Sequence, residues 1–194
     1  MDQDSPDLLS SAHVVALERL NLYRAPLGLR EVRGRAILPG LEEIEFIVGG
    51  CGTFHHDGAA ITAESGTVLW HLPGDITIHH SDPERPYECV VFAFRVRGAP
   101  RRQVPRLHVW ADRDEAHAFA MDALVTFHRT GLDRDAFCRY LYHHLLWRAH
   151  QAEREPPPAR LPAPLAAALE RIERDHGAPL DTDLLAKEIG RAHV

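Results

Sequence analysis

Apolar positions between residues 34 and 96 come in short runs separated by turn signals, which predicts a series of β-strands. Asp57-Gly58 is a dipeptide typical of a two-residue hairpin, and Pro73-Gly74 interrupts another run. The predicted strands are residues 44–48, 53–56, 60–63, 67–72, 75–79 and 87–96. Several short strands at close spacing are typical of an antiparallel sandwich or barrel. We therefore expect a β-rich domain at residues 34–110, preceded by an N-terminal arm at residues 1–33.

After residue 100 the apolar period changes to that of α-helices. A helix over residues 112–130 would carry an apolar face made of Ala116, Phe119, Ala123 and Phe127. A second helix, over residues 134–153, would carry a stripe made of Phe137, Tyr140, Leu141, His144 and Leu145. Gly131 is expected to end the first helix and Asp133 to cap the second. The short link between them predicts an antiparallel α-helical hairpin at residues 111–154.

The last part of the chain predicts a linker and a further pair of helices. Residues 155–163 are rich in proline, which is typical of a stiff, extended linker. Residues 164–190 read as a helix, a turn and a second helix, with an apolar stripe at Leu165, Ala168, Leu169 and Ile172. Gly177 and Pro179 are expected to end the first of these helices, and Asp181 to cap the second. The chain stops at Val194, before a third helix that could read DNA.

Composition indicates a globular protein rather than a free nucleic-acid binder. The 194 residues are 45% hydrophobic and 26% charged, which is typical of a globular domain. The net charge is −6, so the chain lacks the excess of basic residues that is typical of a DNA-binding protein. The N-terminus has no signal-peptide pattern, and no apolar stretch approaches the roughly 18 residues of a membrane span. Cys51, Cys89 and Cys138 are scattered, which favours reduced thiols and a cytoplasmic location over disulfides or a zinc site.

Three segments near the end carry the most specific pattern of the chain: Ile172-Glu173, Pro179-Leu180-Asp181 and Leu185-Ala186-Lys187-Glu188-Ile189-Gly190. Together they resemble the opening of the DNA-binding region of the AraC/XylS family of transcription regulators. A weaker, cupin-like signature lies upstream: Gly49-x-x-Gly52-Thr53-Phe54, Asp57-Gly58, Gly66-Thr67-Val68-Leu69, Pro73-Gly74-Asp75 and His79-His80. The resemblance implies an α+β fold. Its parts would be a cupin-like antiparallel β-barrel, an α-helical hairpin and the first two helices of a truncated helix-turn-helix region at residues 164–194.

The function that this resemblance implies is that of a ligand-responsive transcription regulator. The chain would be mainly its sensing and dimerisation part, with a small-molecule effector, for which a sugar is one candidate, in the barrel. DNA would be bound through the missing C-terminal region, so we expect no sequence-specific DNA binding by residues 1–194. Residues 188–194 also match what a common sequencing-adapter DNA encodes before a stop, so the end is either natural or an artefact of the DNA read. No catalytic residue, cofactor or membrane partner is expected.

The candidate effector-binding residues combine aromatic walls with fixed polar groups, as ligand sites in barrel mouths do. They are Glu43, Glu45, Phe54, Trp70, His71 and His79. The resemblance also implies a homodimer contact through one helix of the hairpin. The candidate residues are Phe137, Tyr140, Leu141, His144 and Leu145, and the alternative is that they pack within their own chain.

Two other functions stay open at this point. A metal-dependent cupin enzyme, a dioxygenase or a sugar isomerase, could use His55 or His56, His71, and His79 or His80. Adjacent strand residues point to opposite faces, so each histidine pair would contribute one imidazole at most. We expect no metal. A freestanding sugar-binding module is the other alternative, and it requires that the gene end at Val194.

Overall fold

Antiparallel β-strands and two helices make up the residues that the structure, a computed structural model, describes: 13–56, 59–98 and 102–154. The strands are β1 (Val14–Arg24), β2 (Leu41–Gly49), β3 (Cys51–His56), β4 (Ala59–Glu64), β5 (Thr67–His71), β6 (His80–Ser81), β7 (Glu88–Val96) and β8 (Leu107–Val109). The helices are α1 (Arg113–Phe127) and α2 (Arg134–Arg154). The strands form a five-stranded sheet in the order β1-β7-β2-β5-β8 and a three-stranded sheet in the order β4-β3-β6.

The chain divides into two units after Glu155, and all described residues belong to the first unit. The predicted linker at residues 155–163 and the helix-turn-helix start at residues 164–194 lie outside the described residues. Residues 1–12 of the predicted arm lie outside them as well.

The described strands form two open sheets, whereas the resemblance implied a closed barrel. Residues 75–79, which we predicted as a strand, form only an isolated bridge between Ile76 and Ala36. Their backbone pairs with the irregular segment before β2 through bonds such as Thr77 N–H to the Arg35 carbonyl, at 3.1 Å. Because that partner segment is not a regular strand, no continuous ladder joins the two sheets along this side. Strands β3 and β4 pair antiparallel up to His56 and Ala59, as the predicted hairpin requires, and Asp57-Gly58 lies outside the described residues.

Strand β1 lies within the segment predicted as an N-terminal arm. It pairs with β7 along the edge of the five-stranded sheet and buries Leu17 and Leu20. Its register shifts twice, between Val14 and Ala16 and again between Leu17 and Arg19. Each bulge inserts an extra residue and breaks the alternation of apolar and polar positions. This is why a period-two pattern does not reveal the strand.

The central strands β2 and β7 are buried on both faces. Ile44, Phe46 and Phe92 face the helices, and they belong to a core cluster that includes Leu141 and Leu145 of α2. On the opposite face, a second cluster joins the two sheets through Ile47, Leu69, Cys89, Phe54 and Ala63. We call the side between the sheets the inner face and the other side the helix face. Burial on both faces explains the nearly continuous apolar runs of these strands.

Both helices begin and end close to the predicted residues. Asp112 caps α1 by accepting hydrogen bonds from the backbone N–H groups of Asp114 and Glu115, each at 2.9 Å. Asp133 accepts from the backbone N–H of Ala136 at 3.0 Å at the start of α2, as predicted. Helix α1 packs on β1, β2 and β7, and α2 packs on β1 and β8. The helices also meet through Phe119 and His144, whose ring centroids are 4.7 Å apart.

Candidate functional site

A row of side chains crosses the inner face of the five-stranded sheet and contains two opposite charges and an imidazole. Arg19 on β1 is opposite Ala93 on β7, Ala93 is opposite Glu43 on β2, and Glu43 is opposite His71 on β5. Directly opposite residues of paired strands share a face, so all four lie on one side. Because Ala93 is small, the Arg19 side chain reaches across it, and its Nη2 donates to Glu43 Oε2 at 2.9 Å.

Glu43 is fully buried and is held by a second guanidinium. Arg35, which lies before β2, donates from Nη2 to Glu43 Oε1. This hydrogen bond raises the pKa of Arg35 further above its ordinary value, against the opposing effect of partial burial. The side chains of Arg19 and Arg35 remain 50% and 45% exposed. The carboxylate is therefore neutralised from the outside, by cations that also face solvent.

Glu45 and His71 form a second pair next to Glu43. The Nε2 of His71 donates to Glu45 Oε2 at 3.0 Å, and the backbone N–H of Ile78 approaches the same oxygen at 3.3 Å. With its proton on Nε2, a neutral His71 presents Nδ1 as an acceptor. This nitrogen and Asn21 Oδ1 are buried and have no hydrogen-bond partner among the described residues. Asn21 shares the next cross-strand row with Val91 and Glu45.

We call this group the inner polar cluster; it consists of Arg19, Arg35, Glu43, Glu45 and His71. It combines guanidinium donors, carboxylate acceptors and an imidazole acceptor, and its two arginine and two glutamate charges cancel. Such a set can hydrogen-bond a neutral ligand that carries both hydroxyl donors and oxygen acceptors.

A second polar group lies on the helix face, at the residue next to Glu43 in the same strand. The buried carboxylate of Glu42 accepts from Trp70 Nε1 at 3.0 Å and from the Tyr142 hydroxyl at 2.9 Å, and His13 Nε2 is 3.1 Å from its other oxygen. We call Glu42, Trp70, Tyr142 and His13 the helix-side cluster. Burial, and secondarily the charge of Glu42, raises the pKa of Tyr142 far above its ordinary value, so its hydroxyl stays a donor.

The structure brings together three of the six predicted effector residues, namely Glu43, Glu45 and His71. Trp70 is adjacent to His71 and so points to the helices, where its indole packs edge-on to Tyr142. Phe54 lies on the inner face but within the apolar cluster between the sheets. His79 lies next to His55, with the two rings stacked at 5.2 Å.

Sequence reasoning missed Arg19, Arg35 and Asn21 in the inner site, and Glu42, Tyr142 and His13 on the helix face. A signal for both groups is present in the sequence. Three glutamates, Glu42, Glu43 and Glu45, stand in a strand that is otherwise apolar and central. Carboxylates buried on both faces of a strand require partners on both sides.

The predicted dimer residues divide into two sets. Leu141 and Leu145 are fully buried and pack within the core of the described unit, as the intramolecular alternative expects. Tyr140 is 55% exposed, and Phe137 and His144 are partly exposed. Trp147, which was not predicted, extends this surface and is 44% exposed.

Among the described residues, no group of three or more His, Cys, Asp or Glu side chains has the arrangement of a metal site. The set predicted for a metal enzyme is therefore not assembled: His71 is bonded to Glu45, while His55 and His79 contact each other. Neither described helix has the length and apolar character needed to cross a membrane.

No protein-family model and no curated protein matches the chain. Among solved structures, apo ToxT K231A from Vibrio cholerae strain SCE256 aligns with a TM-score of 0.47 and 9% identity, covering 88% of this chain and 69% of that one. ToxT from Vibrio cholerae O395 bound to (E)-4-(8-methylnaphthalen-1-yl)but-3-enoic acid aligns with a TM-score of 0.45 and 9% identity, covering 88% and 70%. Unsaturated fatty acid-bound ToxT from strain SCE256 aligns with a TM-score of 0.44 and 11% identity, covering 88% and 68%. TM-scores below 0.5 do not by themselves establish a shared fold.

Proposed function

We propose that this chain is the sensing part of a ligand-responsive transcription regulator of the AraC type, with a sugar as its effector. The observation that carries the proposal is the inner polar cluster, in which fully buried Glu43 is bound by two arginines that reach the surface. The resemblance of residues 164–190 to a helix-turn-helix start supports the regulatory role. The chain is proposed to act without catalysis.

A sugar suits the chemistry of the inner polar cluster. Its hydroxyl groups can donate to the oxygens of Glu43 and Glu45 and to Nδ1 of His71, while its ring and hydroxyl oxygens can accept from the arginines. Hydrogen bonds to charged groups are each worth about 1.5–3 kcal/mol, so a few of them give selectivity for hydroxyl positions. Because Glu43 and His71 are fully buried, the effector would reach them only when the half-exposed side chains of Arg19 and Arg35 move aside.

The signal would pass through β2. Glu43 faces the inner polar cluster, and its neighbour Glu42 faces the helix-side cluster, where it accepts a hydrogen bond from Tyr142 of α2. A ligand that shifts β2 would therefore change how α2 packs on the sheet. Such coupling requires that the effector bind two arrangements of the protein with different affinity. The exposed part of α2 is the proposed surface of a homodimer.

The effector proposal is tested by thermal denaturation and calorimetric titration of the full chain with a panel of aldopentoses and aldohexoses. One sugar is expected to raise the melting temperature and to bind with one-to-one stoichiometry. Arg19→Ala and His71→Ala should each weaken binding at least tenfold, because each removes a hydrogen-bonding group from the site. Arg24→Ala is the matched control, since Arg24 lies on the same strand but pairs with Glu88.

Equal binding by Arg19→Ala, His71→Ala and Arg24→Ala would contradict the proposed site, and the absence of any sugar that binds would contradict the effector class. The DNA-binding role is tested separately, by reading the source gene beyond codon 187. An open frame that continues through a second helix-turn-helix motif is expected; an in-frame stop after codon 194 in the gene would remove the DNA-binding role.

A further inference from the structure

Three histidine rings meet at the three-stranded sheet, and none of them belongs to either polar cluster. We call them the outer histidine cluster: His55 on β3, His80 on β6 and His79 immediately before it. The ring centroids of His79 and His80 are 4.5 Å apart, those of His55 and His79 are 5.2 Å apart, and those of His55 and His80 are 5.8 Å apart.

The His55 side of this cluster faces outward, and the rings of His79 and His80 are partly buried. Phe54 and Ile78, the chain neighbours of His55 and His79, are buried in the apolar cluster between the sheets. Since successive residues of a strand point to opposite sides, the His55 imidazole points away from that cluster, and the His79 ring stacks on it. His55 is exposed, so an ion in bulk solvent can reach the site.

The closest pair of nitrogens has the spacing of two ligands on one ion. His55 Nδ1 and His79 Nε2 are 3.2 Å apart. An ion bound by each nitrogen at its usual distance of about 2.0–2.1 Å would subtend an N–metal–N angle of about 100°, close to tetrahedral. We propose that His55 and His79 bind one divalent transition-metal ion such as Zn²⁺ or Ni²⁺, with solvent molecules completing its coordination.

The scaffold holds the two rings in place before any ion binds. Strand β3 pairs with β6 at Thr53 and His80, which sets the separation of the two segments. A Cβ atom on Gly34 would stand 2.9 Å from the Cβ of His79, so the backbone packs tightly against that side chain. Imidazole nitrogens favour Zn²⁺, Ni²⁺ and Cu²⁺ over the oxygen-seeking Mg²⁺ and Ca²⁺.

Binding needs a change of tautomer but no loss of a proton from the pair. In the hydrogen-bonded pair one nitrogen carries the proton that the other accepts, whereas in the complex both nitrogens present lone pairs. The displaced proton moves to the remote nitrogen of its own ring. Nδ1 of His79 is buried and has no partner among the described residues, so this ligand lacks the acceptor that commonly orients a metal-bound histidine. We therefore expect weaker binding than at a structural zinc site.

The test is calorimetric titration of the full chain, carrying no polyhistidine tag, with Zn²⁺, Ni²⁺ and Mg²⁺. The wild type is expected to bind one Zn²⁺ or one Ni²⁺ ion per chain and no Mg²⁺. His55→Ala and His79→Ala should each weaken binding at least tenfold. His117→Ala, which removes an exposed histidine from α1, is the control and should bind as the wild type does.

Wild-type affinity in His55→Ala or His79→Ala would overturn the site, as would an equal loss of affinity in His117→Ala. A Cu²⁺ electron paramagnetic resonance spectrum of the wild type gives a measurement that does not depend on how the variants fold. Hyperfine splitting from two imidazole nitrogens is expected, and splitting from one nitrogen or none would also overturn the proposal. The inference is independent of the sugar site, since that site lies on the inner face of the other sheet.

Discussion

At the residue scale, the most informative side chains are polar groups that the fold buries. Glu42 and Glu43 are adjacent and fully buried, and each has partners on its own face of the sheet. His108 on β8 is different, because it is 5% exposed and neither of its ring nitrogens has a hydrogen-bond partner among the described residues. A polar ring without partners in the core makes stability depend on its protonation state.

Burial, together with the charge of Arg148, lowers the pKa of His108 to about 4 from an ordinary value near 6.5. Between these two pH values the unfolded chain binds the proton and the folded chain does not, so the free energy of unfolding falls as pH decreases from 6.5 to 4. The contribution of His108 amounts to about 3 kcal/mol across this window, from about 1.4 kcal/mol per pH unit.

The measurement is urea unfolding of the wild type and of His108→Leu at several pH values between 4 and 7.5. The variant should lose less stability than the wild type on acidification, and the difference between the two proteins removes the effects of other titrating groups. Parallel pH profiles of the two proteins would contradict the prediction, because they would mean that His108 has the same pKa in the folded and the unfolded chain. His117→Leu, which replaces a histidine at an exposed position of α1, serves as the control.

At the element scale, α2 has one face that packs on the sheet and another that carries exposed aromatic rings. Tyr140 contacts Phe137 and His144, and His144 contacts Trp147, so the rings form a continuous stripe along the helix. Clusters of exposed aromatic side chains are common in protein–protein interfaces. The stripe is therefore the part of α2 that a second subunit can reach.

Two substitutions on α2 should separate dimerisation from folding. Tyr140→Arg is expected to shift the chain from dimer to monomer in analytical ultracentrifugation, with its free energy of unfolding changed by less than 1 kcal/mol, because Tyr140 lies on the surface. Leu145→Ala should lower that free energy by about 2–5 kcal/mol through the cavity it leaves. A wild-type chain that is monomeric at all concentrations would refute the dimer.

Element prediction from sequence succeeded where local signals are strong. The caps at Asp112 and Asp133 and the turn before α2 are local chemistry, so both helices were predicted within a few residues. Strand β1 was missed because its bulges break the alternation, and residues 75–79 were assigned to a strand although their partner segment is irregular. The inner polar cluster could be predicted only in part, since Arg19 and Arg35 come from segments without a periodic signal.

At the scale of the whole molecule, β2 connects the two candidate regions. Its inner side holds the cluster proposed to bind the effector, and its helix side holds Glu42, which is bonded to Tyr142 of α2. Removing the Tyr142 hydroxyl should therefore leave effector binding intact and weaken its effect on the helix.

Hydrogen–deuterium exchange measures this coupling directly. Addition of the sugar identified in the binding screen should slow exchange of α2 amides in the wild type, whereas Tyr142→Phe should bind the sugar within threefold of wild-type affinity and show a smaller change in α2. An identical α2 response in both proteins would mean that the signal travels by another route. Tyr140→Phe, which removes a hydroxyl from the exposed face of the same helix, is the matched control.

The three glutamates of β2 also determine how this unit can assemble. Glu43 pairs with Arg35, 8 positions away in the sequence, and with Arg19, 24 positions away, whereas Glu42 accepts hydrogen bonds from an indole 28 positions away and a phenol 100 positions away. A central strand with these carboxylates is buried at low cost only when β1 and α2, which supply the distant partners, have packed against the sheet. Folding must therefore wait for contacts between distant parts of the chain, which is expected to make it slow and all-or-none. During synthesis, a chain whose α2 has not yet emerged from the ribosome would therefore lack one of the partners that stabilise its central strand β2.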